Sequence, residues 1–110
     1  MNEMENLDNK IVISGNRYVY DGLDYTFVFN PNFYAERYKD LKEAFGYESK
    51  QLFYHFIYFG MGECRQAIDS FEVHSYKNRY PDLQKAFGNN WSEYYKHYIQ
   101  YGYNEKRIAT

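Results

Sequence analysis

The hydrophobic and polar positions at the start of this chain follow a β-type pattern. β-Branched and aromatic residues form three short runs, at 11–13, 17–20 and 25–29. Asp21-Gly22 opens the link between the last two runs, and Asp-Gly between such residues is typical of a hairpin turn. The pattern predicts a β-hairpin, with 25–29 as a strand. An isolated hairpin is marginally stable, so it must pack on the segments that follow.

The pattern becomes helical after the hairpin. Asn30 is a favourable N-cap and Pro31 fits the first helical turn. Gly46 is expected to end a second helix in a left-handed cap. The third helix is apolar nearly all round, which is typical of a helix buried on most sides, and Gly60 is expected to end it. The predicted helices cover 31–38, 39–45 and 49–59.

The same helical segment recurs 42 residues further along the chain. A shift of 42 residues aligns identical residues at 15 of 39 positions without a gap. A fixed period of this size indicates a repeated supersecondary unit. The third helix of the second unit is therefore predicted over 91–101, with Asn90 as its cap and Gly102 as its end. The identities include Tyr34/Tyr76, Leu41/Leu83, Phe45/Phe87 and Gly46/Gly88.

These elements predict a mainly α fold of the α+β class, in which an N-terminal β-hairpin precedes two tandem three-helix repeats that share one aromatic core. The composition suits such a core, because 23% of the residues are aromatic and 15 are Tyr. Not all these rings can be buried in so short a chain, and exposed Tyr is frequent at interfaces. The predicted segments are a disordered lead-in at 1–9, the hairpin at 10–29, the first repeat at 30–68 and the second at 69–110, within one compact domain.

Charge and hydropathy narrow the classes of partner. The net charge is -2 and no block of like charges is long enough to follow a phosphate backbone, so nucleic acid is an unfavoured partner. No stretch approaches the ~20 apolar residues of a membrane span. The N-terminus lacks the pattern of a signal peptide, which predicts a cytoplasmic chain, or an extracellular or cell-surface one if the sequence is a fragment of a longer protein.

Four motifs of the second unit follow one another at fixed spacing: Tyr80-Pro81-Asp82-Leu83, Ala86-Phe87-Gly88, His97-Tyr98 and Gly102-x-x-Glu105-x-Arg107. They resemble the repeat Y-P-D-L-x-x-A-F-G, H-Y-x-x-x-G-x-x-E-G-R, which occurs in tandem in secreted and surface proteins of bacteria, often beside wall-degrading or wall-binding domains. The resemblance covers about 18–109 and implies a cell-wall-associated role, but no activity. Cys64 and Lys106 stand where the repeat has Gly, so the closing turn is expected to differ.

Ten polar residues recur as five pairs. A polar set that each unit needs for its own fold should occur in every copy, whereas a catalytic set usually occurs once. We therefore interpret the ten residues as a structural lock, called the polar lock below, and not as two active sites. The pairs are Arg37/Arg79, Asp40/Asp82, His55/His97, Glu63/Glu105 and Arg65/Arg107.

Cys64 could act as a nucleophile with His55 as its base. The corresponding residue of the second unit is Lys106, and nothing near Cys64 predicts a lowered thiol pKa, so an inert thiol is favoured. A metal site is not expected, because the three histidines are widely separated and match no zinc spacing. The chain is therefore interpreted as a non-enzyme without metal or cofactor; a nucleotide stacked between Tyr rings stays an alternative.

At three positions a tyrosine of the first unit corresponds to a polar residue of the second: Tyr47/Asn89, Tyr54/Lys96 and Tyr58/Gln100. Tyr54 and Tyr58 are four residues apart, so they share a helix face that is polar in the second unit. Either the hairpin covers this face, or it is an exposed aromatic patch for a partner. The candidate partner-binding residues are Tyr47, Tyr54, Tyr58, Trp91 and Tyr103.

Together these observations predict a non-catalytic protein-binding module that acts through exposed Tyr and Trp side chains. It would be a small adaptor or inhibitor, for example a phage- or mobile-element-encoded inhibitor of a host defence enzyme. A homodimer through the Tyr54/Tyr58 face is also open. The alternative, implied by the resemblance, is a cell-wall-associated repeat module that binds wall glycan.

Overall fold

The computed structural model describes residues 9–110 and begins with a small antiparallel sheet. Strand β1 is Ile11–Ser14, β2 is Arg17–Tyr20 and β3 is Leu23–Asp24, in the order β1-β2-β3. Asp21 and Gly22 both have positive φ, 50° and 82°, which is the requirement of a type I′ hairpin turn. The hairpin prediction is confirmed. The predicted lead-in at 1–9 lies outside the described residues except for Asn9.

The predicted strand at 25–29 is wrong. Tyr25–Phe27 is a 3₁₀ turn, because the Asp24 carboxylate accepts a hydrogen bond from the Thr26 backbone N–H at 3.0 Å and also binds the Thr26 hydroxyl. This local bond competes with strand pairing. The turn directs Val28 and Phe29 into the core, where both are buried.

Each repeat contains three short helices, and their bounds in the two units differ by 42 residues. The third helix of each unit continues without a break into a π-helical turn. Asn30 caps the first helix, as predicted, through its side chain and the Phe33 N–H. In the second unit the side chain of Glu72 caps the first helix. Asn90 stands at the N-cap of the third helix, as predicted, but its side chain makes no capping hydrogen bond. The helices are α1 Pro31–Arg37, α2 Lys39–Phe45 and α3 Ser49–His55 with the π turn Phe56–Gly60, then α4 Val73–Arg79, α5 Pro81–Phe87 and α6 Trp91–His97 with the π turn Tyr98–Gly102.

The third helices, with their π turns, end at Gly60 and Gly102, as predicted, and the capping residues Met61 and Tyr103 keep helical φ and ψ. These glycines are also places of close approach, because a Cβ on Gly60 would overlap the hydroxyl of Tyr34, and one on Gly102 would overlap the hydroxyl of Tyr76. Gly46 ends α2, with φ 57° and ψ -129°. That conformation lies outside the predicted left-handed region and suits Gly almost alone.

One cluster of buried rings joins the hairpin to both units. Phe29 lies 5.1 Å from the rings of Tyr18, Phe53 and Phe56. In the second unit, Phe71 stands in the corresponding place beside Tyr95 and Tyr98, at 5.0 Å from each. All the described core residues belong to a single hydrophobic cluster, so the hairpin and the two units fold on one core.

Candidate functional site

The closing turn of the first unit is tied to α2 by charges. Arg65 donates to both carboxylate oxygens of Asp40, at 3.0 and 2.8 Å, and its Nε donates to Glu63 at 2.9 Å. The guanidinium also lies 4.7 Å from the ring of Tyr38. Hydrogen bonds from Arg65 hold the pKa of Asp40 below its usual range. A planar guanidinium that is shared in this way fixes the turn geometrically, as a structural element would.

The second unit repeats this arrangement. Arg107 donates to the two oxygens of Asp82 at 3.3 and 3.0 Å and to Glu105 at 2.8 Å, and it lies 4.7 Å from the ring of Tyr80. The residues between the glutamate and the arginine keep a glycine-like backbone, since Cys64 has φ 62° and Lys106 has φ 58°. The side chains differ from the resembled pattern at these positions, yet positive φ is present in both turns.

The two histidines of the polar lock are bound to buried tyrosines. Tyr34 Oη lies 2.8 Å from His55 Nδ1, and Tyr76 Oη lies 2.8 Å from His97 Nδ1. Burial raises the pKa of Tyr34 and Tyr76, and burial lowers the pKa of His55 and His97. Each hydroxyl therefore keeps its proton, each imidazole is neutral, and one hydrogen bond joins the two groups. These histidines hold a helix pair together and are poorly placed to act as bases.

The remaining lock residues lie apart from this arrangement. Arg37 lies 5.8 Å from the ring of Tyr38, and Arg79 donates through Nε to the carbonyl of Thr110 at 2.7 Å. The structure thus brings together four of the five members in each unit as two clusters, Tyr–His and Asp–Glu–Arg, and leaves the first arginine outside both.

Burial, followed by the nearby charge of Glu72, raises the pKa of the Cys64 thiol. A protonated, partly buried thiol is a weak nucleophile. Within residues 9–110 no three His, Cys, Asp or Glu side chains gather closely enough to hold a metal ion.

The predicted aromatic face lies beside the hairpin and is partly open. The rings of Tyr54 and Tyr58 stack in parallel, with centroids 5.1 Å apart and planes 2° apart. Tyr54 is half-buried and Tyr58 is 43% exposed. Burial, followed by the nearby Tyr58 hydroxyl, raises the pKa of Tyr20 on the hairpin. The hairpin therefore borders this face without closing it, and a role of the face in binding a partner stays a prediction.

Tyr58 opens onto a groove of about 290 Å³ where the hairpin, α3 and α6 meet. Its walls carry the hydroxyls of three tyrosines and a serine, an ammonium group and two apolar side chains. Burial raises the pKa of Tyr25 to about 12, so its hydroxyl stays protonated and can donate. Lys96 is only loosely paired with Glu93, at 3.9 Å. We call these residues the aromatic groove: Tyr20, Tyr25, Ile57, Tyr58, Met61, Ser92 and Lys96.

The other candidate binding residues do not join this groove. The Tyr47 hydroxyl donates to Glu36, and Lys42 lies 5.4 Å from its ring. Trp91 is half-buried, 5.1 Å from the ring of His74. Tyr103 lies 4.3 Å from Phe27. The five predicted residues thus occupy several places on the surface, and only Tyr54 and Tyr58 are neighbours.

Three exposed aromatic residues escaped the sequence analysis. Phe59 is 50% exposed and Tyr101, at the corresponding place, is 57% exposed, although the third helix was expected to be buried on most sides. Phe27 lay in the strand that proved to be a 3₁₀ turn. The recurrence of an aromatic residue at positions 59 and 101 is a sequence signal, but the same signal also marks the core.

A second groove, of about 440 Å³, lies between the turn that joins β1 to β2 and the starts of α1 and α3. Its lining is uncharged and rich in amides and hydroxyls, with three aromatic residues. Amides and hydroxyls both donate and accept hydrogen bonds, which suits a neutral, hydroxyl-rich ligand. We call these residues the amide groove: Asn16, Tyr18, Thr26, Phe29, Asn30, Pro31, Asn32, Tyr47, Ser49 and Ile68.

Comparison of this chain with protein-family models, with curated proteins and with solved structures found no match. The resemblance to the bacterial surface repeat therefore stays a prediction. Among residues 9–110, no helix combines the length and the hydropathy that crossing a membrane requires.

Proposed function

We propose that this chain is a non-catalytic module that binds another protein through the aromatic groove. The observation that carries the proposal is the stacked Tyr54/Tyr58 pair, which has no counterpart in the second unit. Lys96 and Gln100 occupy the same positions of α6 and its π turn. A unit that folds with polar residues there gains nothing essential from two large rings, and Tyr is enriched where proteins bind one another.

The walls of the aromatic groove define the chemistry of the partner. Tyr20, Tyr25, Tyr58 and Lys96 line the groove together, so its polar residues carry hydrogen-bond donors and one positive charge. A carboxylate side chain of the partner would accept from these groups. Ile57 would contact its apolar neighbours. Such blocking of a partner's surface fits an adaptor or inhibitor and needs no chemistry.

The test is affinity capture from a lysate of the source cell with three versions of the full chain. The wild type should retain a protein that the Tyr54→Ala/Tyr58→Ala variant loses. A Tyr47→Ala/Tyr101→Ala variant removes two exposed rings elsewhere and should retain it. Circular dichroism must first show that both variants fold. Retention by the first variant, or loss by the second alone, would contradict the proposal.

The amide groove favours a second function, the binding of a neutral wall glycan. An uncharged lining of amides and hydroxyls around the rings of Tyr18 and Phe29 suits sugar hydroxyls better than it suits a charged protein surface. Sedimentation of the chain with purified cell wall would support this function if Asn32→Ala abolishes it and Tyr54→Ala/Tyr58→Ala does not. A chain that stays in the supernatant would exclude it.

A further inference from the structure

The hairpin and the two units pack head to tail. We call the side of a unit that carries Phe53 or Tyr95 its head, and the side that carries Phe56 or Tyr98 its tail. The hairpin covers the head of the first unit, where Tyr18 and Tyr25 lie 5.6 and 6.0 Å from Phe53. The tail of the first unit meets the head of the second.

The contact between the units shows what a tail recognises. Tyr95 lies 5.5 Å from Phe56, and its hydroxyl donates to the carbonyl of Arg65 at 2.8 Å. Met61, also on this tail, is only 3% exposed. The head of the second unit therefore supplies an aromatic ring and one hydrogen-bond donor, and Ser92 and Lys96 of α6 line the same groove as Met61.

The tail of the second unit carries the corresponding groups with less cover. Tyr98 corresponds to Phe56, the carbonyl of Arg107 to that of Arg65, and Tyr103 to Met61. Tyr103 is 50% exposed, although Phe27 lies 4.3 Å from it. A head-to-tail contact is heterologous, so the tail of the second unit presents the kind of surface that the tail of the first unit uses to bind the second.

We propose that the tail of the second unit docks the head of another repeat unit of this kind. A tyrosine at the position of Tyr95 would lie against Tyr98 and donate its hydroxyl to the Arg107 carbonyl, and the docked helix would cover Tyr103. This second docking surface is separate from the aromatic groove, so its failure leaves the proposed function standing.

The probe is the chain's own second unit, joined to the full chain. Residues 69–110 are repeated directly after Thr110, which reproduces the spacing of the natural link because residue 68 corresponds to residue 110. Tethering gives the added unit a high effective concentration, so even a weak docking would be seen. Urea unfolding and limited proteolysis then report whether the added unit packs.

If the tail docks it, the three-unit chain unfolds in one transition with a urea m-value about 40% larger than that of the parent, because m scales with the surface exposed on unfolding. Tyr103→Asp should abolish this gain. Tyr101→Asp should keep it, because the corresponding Phe59 stays 50% exposed although the second unit is packed on the first. Each variant is also measured in the parent, so that its effect on the parent fold is subtracted.

Two results would overturn the proposal. One is an added unit that proteases remove while the parent's transition and m-value stay unchanged. The other is an added unit that packs equally well with Tyr103→Asp and with Tyr101→Asp, since the contact would then lie elsewhere.

Discussion

Gly60 offers a sharp test of how each unit is held together, because a single methyl group at this position meets the Tyr34 hydroxyl. Tyr34 is fully buried and bonded to His55, so it cannot move aside freely. Overpacking a core costs about 1–3 kcal/mol, and a lost hydrogen bond adds about 1 kcal/mol. The better helix propensity of Ala offsets about 1 kcal/mol. Gly60→Ala should therefore lower the free energy of unfolding by about 1–3 kcal/mol.

The assay is a double-mutant cycle by urea unfolding, followed by far-UV circular dichroism. Tyr34→Phe removes the hydroxyl that the new methyl group would meet. In the Tyr34→Phe background, Gly60→Ala should be neutral or stabilise by up to about 1 kcal/mol, so the sign of its effect changes. Gly62→Ala is the matched control, because its nearest neighbour, the carbonyl of Phe59, lies at 3.6 Å. An equal cost of Gly60→Ala in both backgrounds would refute the reasoning.

Three further predictions concern the turns and the histidines. Lys106→Gly should raise the free energy of unfolding by about 0.5–1 kcal/mol by relieving positive φ, and Lys106→Val should lower it; urea unfolding measures both. Asp24→Ala should cost about 1 kcal/mol by removing the acceptor of the Thr26 N–H, and Asp24→Asn should cost less, as thermal unfolding would show. Burial lowers the pKa of His55 and His97, so as the pH falls these histidines bind protons in the unfolded chain before they do so in the folded one. The free energy of unfolding should therefore be at its full value above about pH 6.5 and should fall below that pH, before the carboxylates titrate. Urea midpoints measured from pH 7.5 to 5 test this.

Local sequence rules were sufficient for the outline of the fold. Asp21-Gly22 predicts a hairpin because both residues tolerate the positive φ that a type I′ turn needs. Asn30-Pro31 predicts a helix start because Asn caps a helix and Pro fits its first turn. The 42-residue period then placed the helices of the second unit. These signals depend on one or two neighbouring residues, so tertiary structure did not override them.

Other features depend on side-chain contacts that the hydrophobic pattern does not show. The close approach at Gly60 depends on Tyr34, which lies 26 residues earlier in the chain. The run at 25–29 has the composition of a strand, yet the Asp24 carboxylate takes the Thr26 N–H that a ladder would need.

The candidate site was harder to predict than the fold. Tyr54 and Tyr58 were found because the two units differ there. The aromatic groove also needs Tyr20 and Tyr25 from the hairpin, and no pattern within one element shows which residues of another will face it. Phe59 and Tyr101 were missed for the opposite reason, since an aromatic residue shared by both units is the signature of a core position.

The tyrosine at the head of the second unit also bears on how the chain reaches its native state. Proteins with similar repeats are prone to misassembly, in which one unit occupies the place of another during folding. Tyr95 has a hydroxyl that the carbonyl of Arg65 accepts, whereas Phe53, at the same position of the first unit, has none and lies under the rings of the hairpin. Exchanging the two units would bury the Tyr95 hydroxyl among those rings and leave the carbonyl without its donor. The Tyr95 hydroxyl thus disfavours an exchange of the two units during folding.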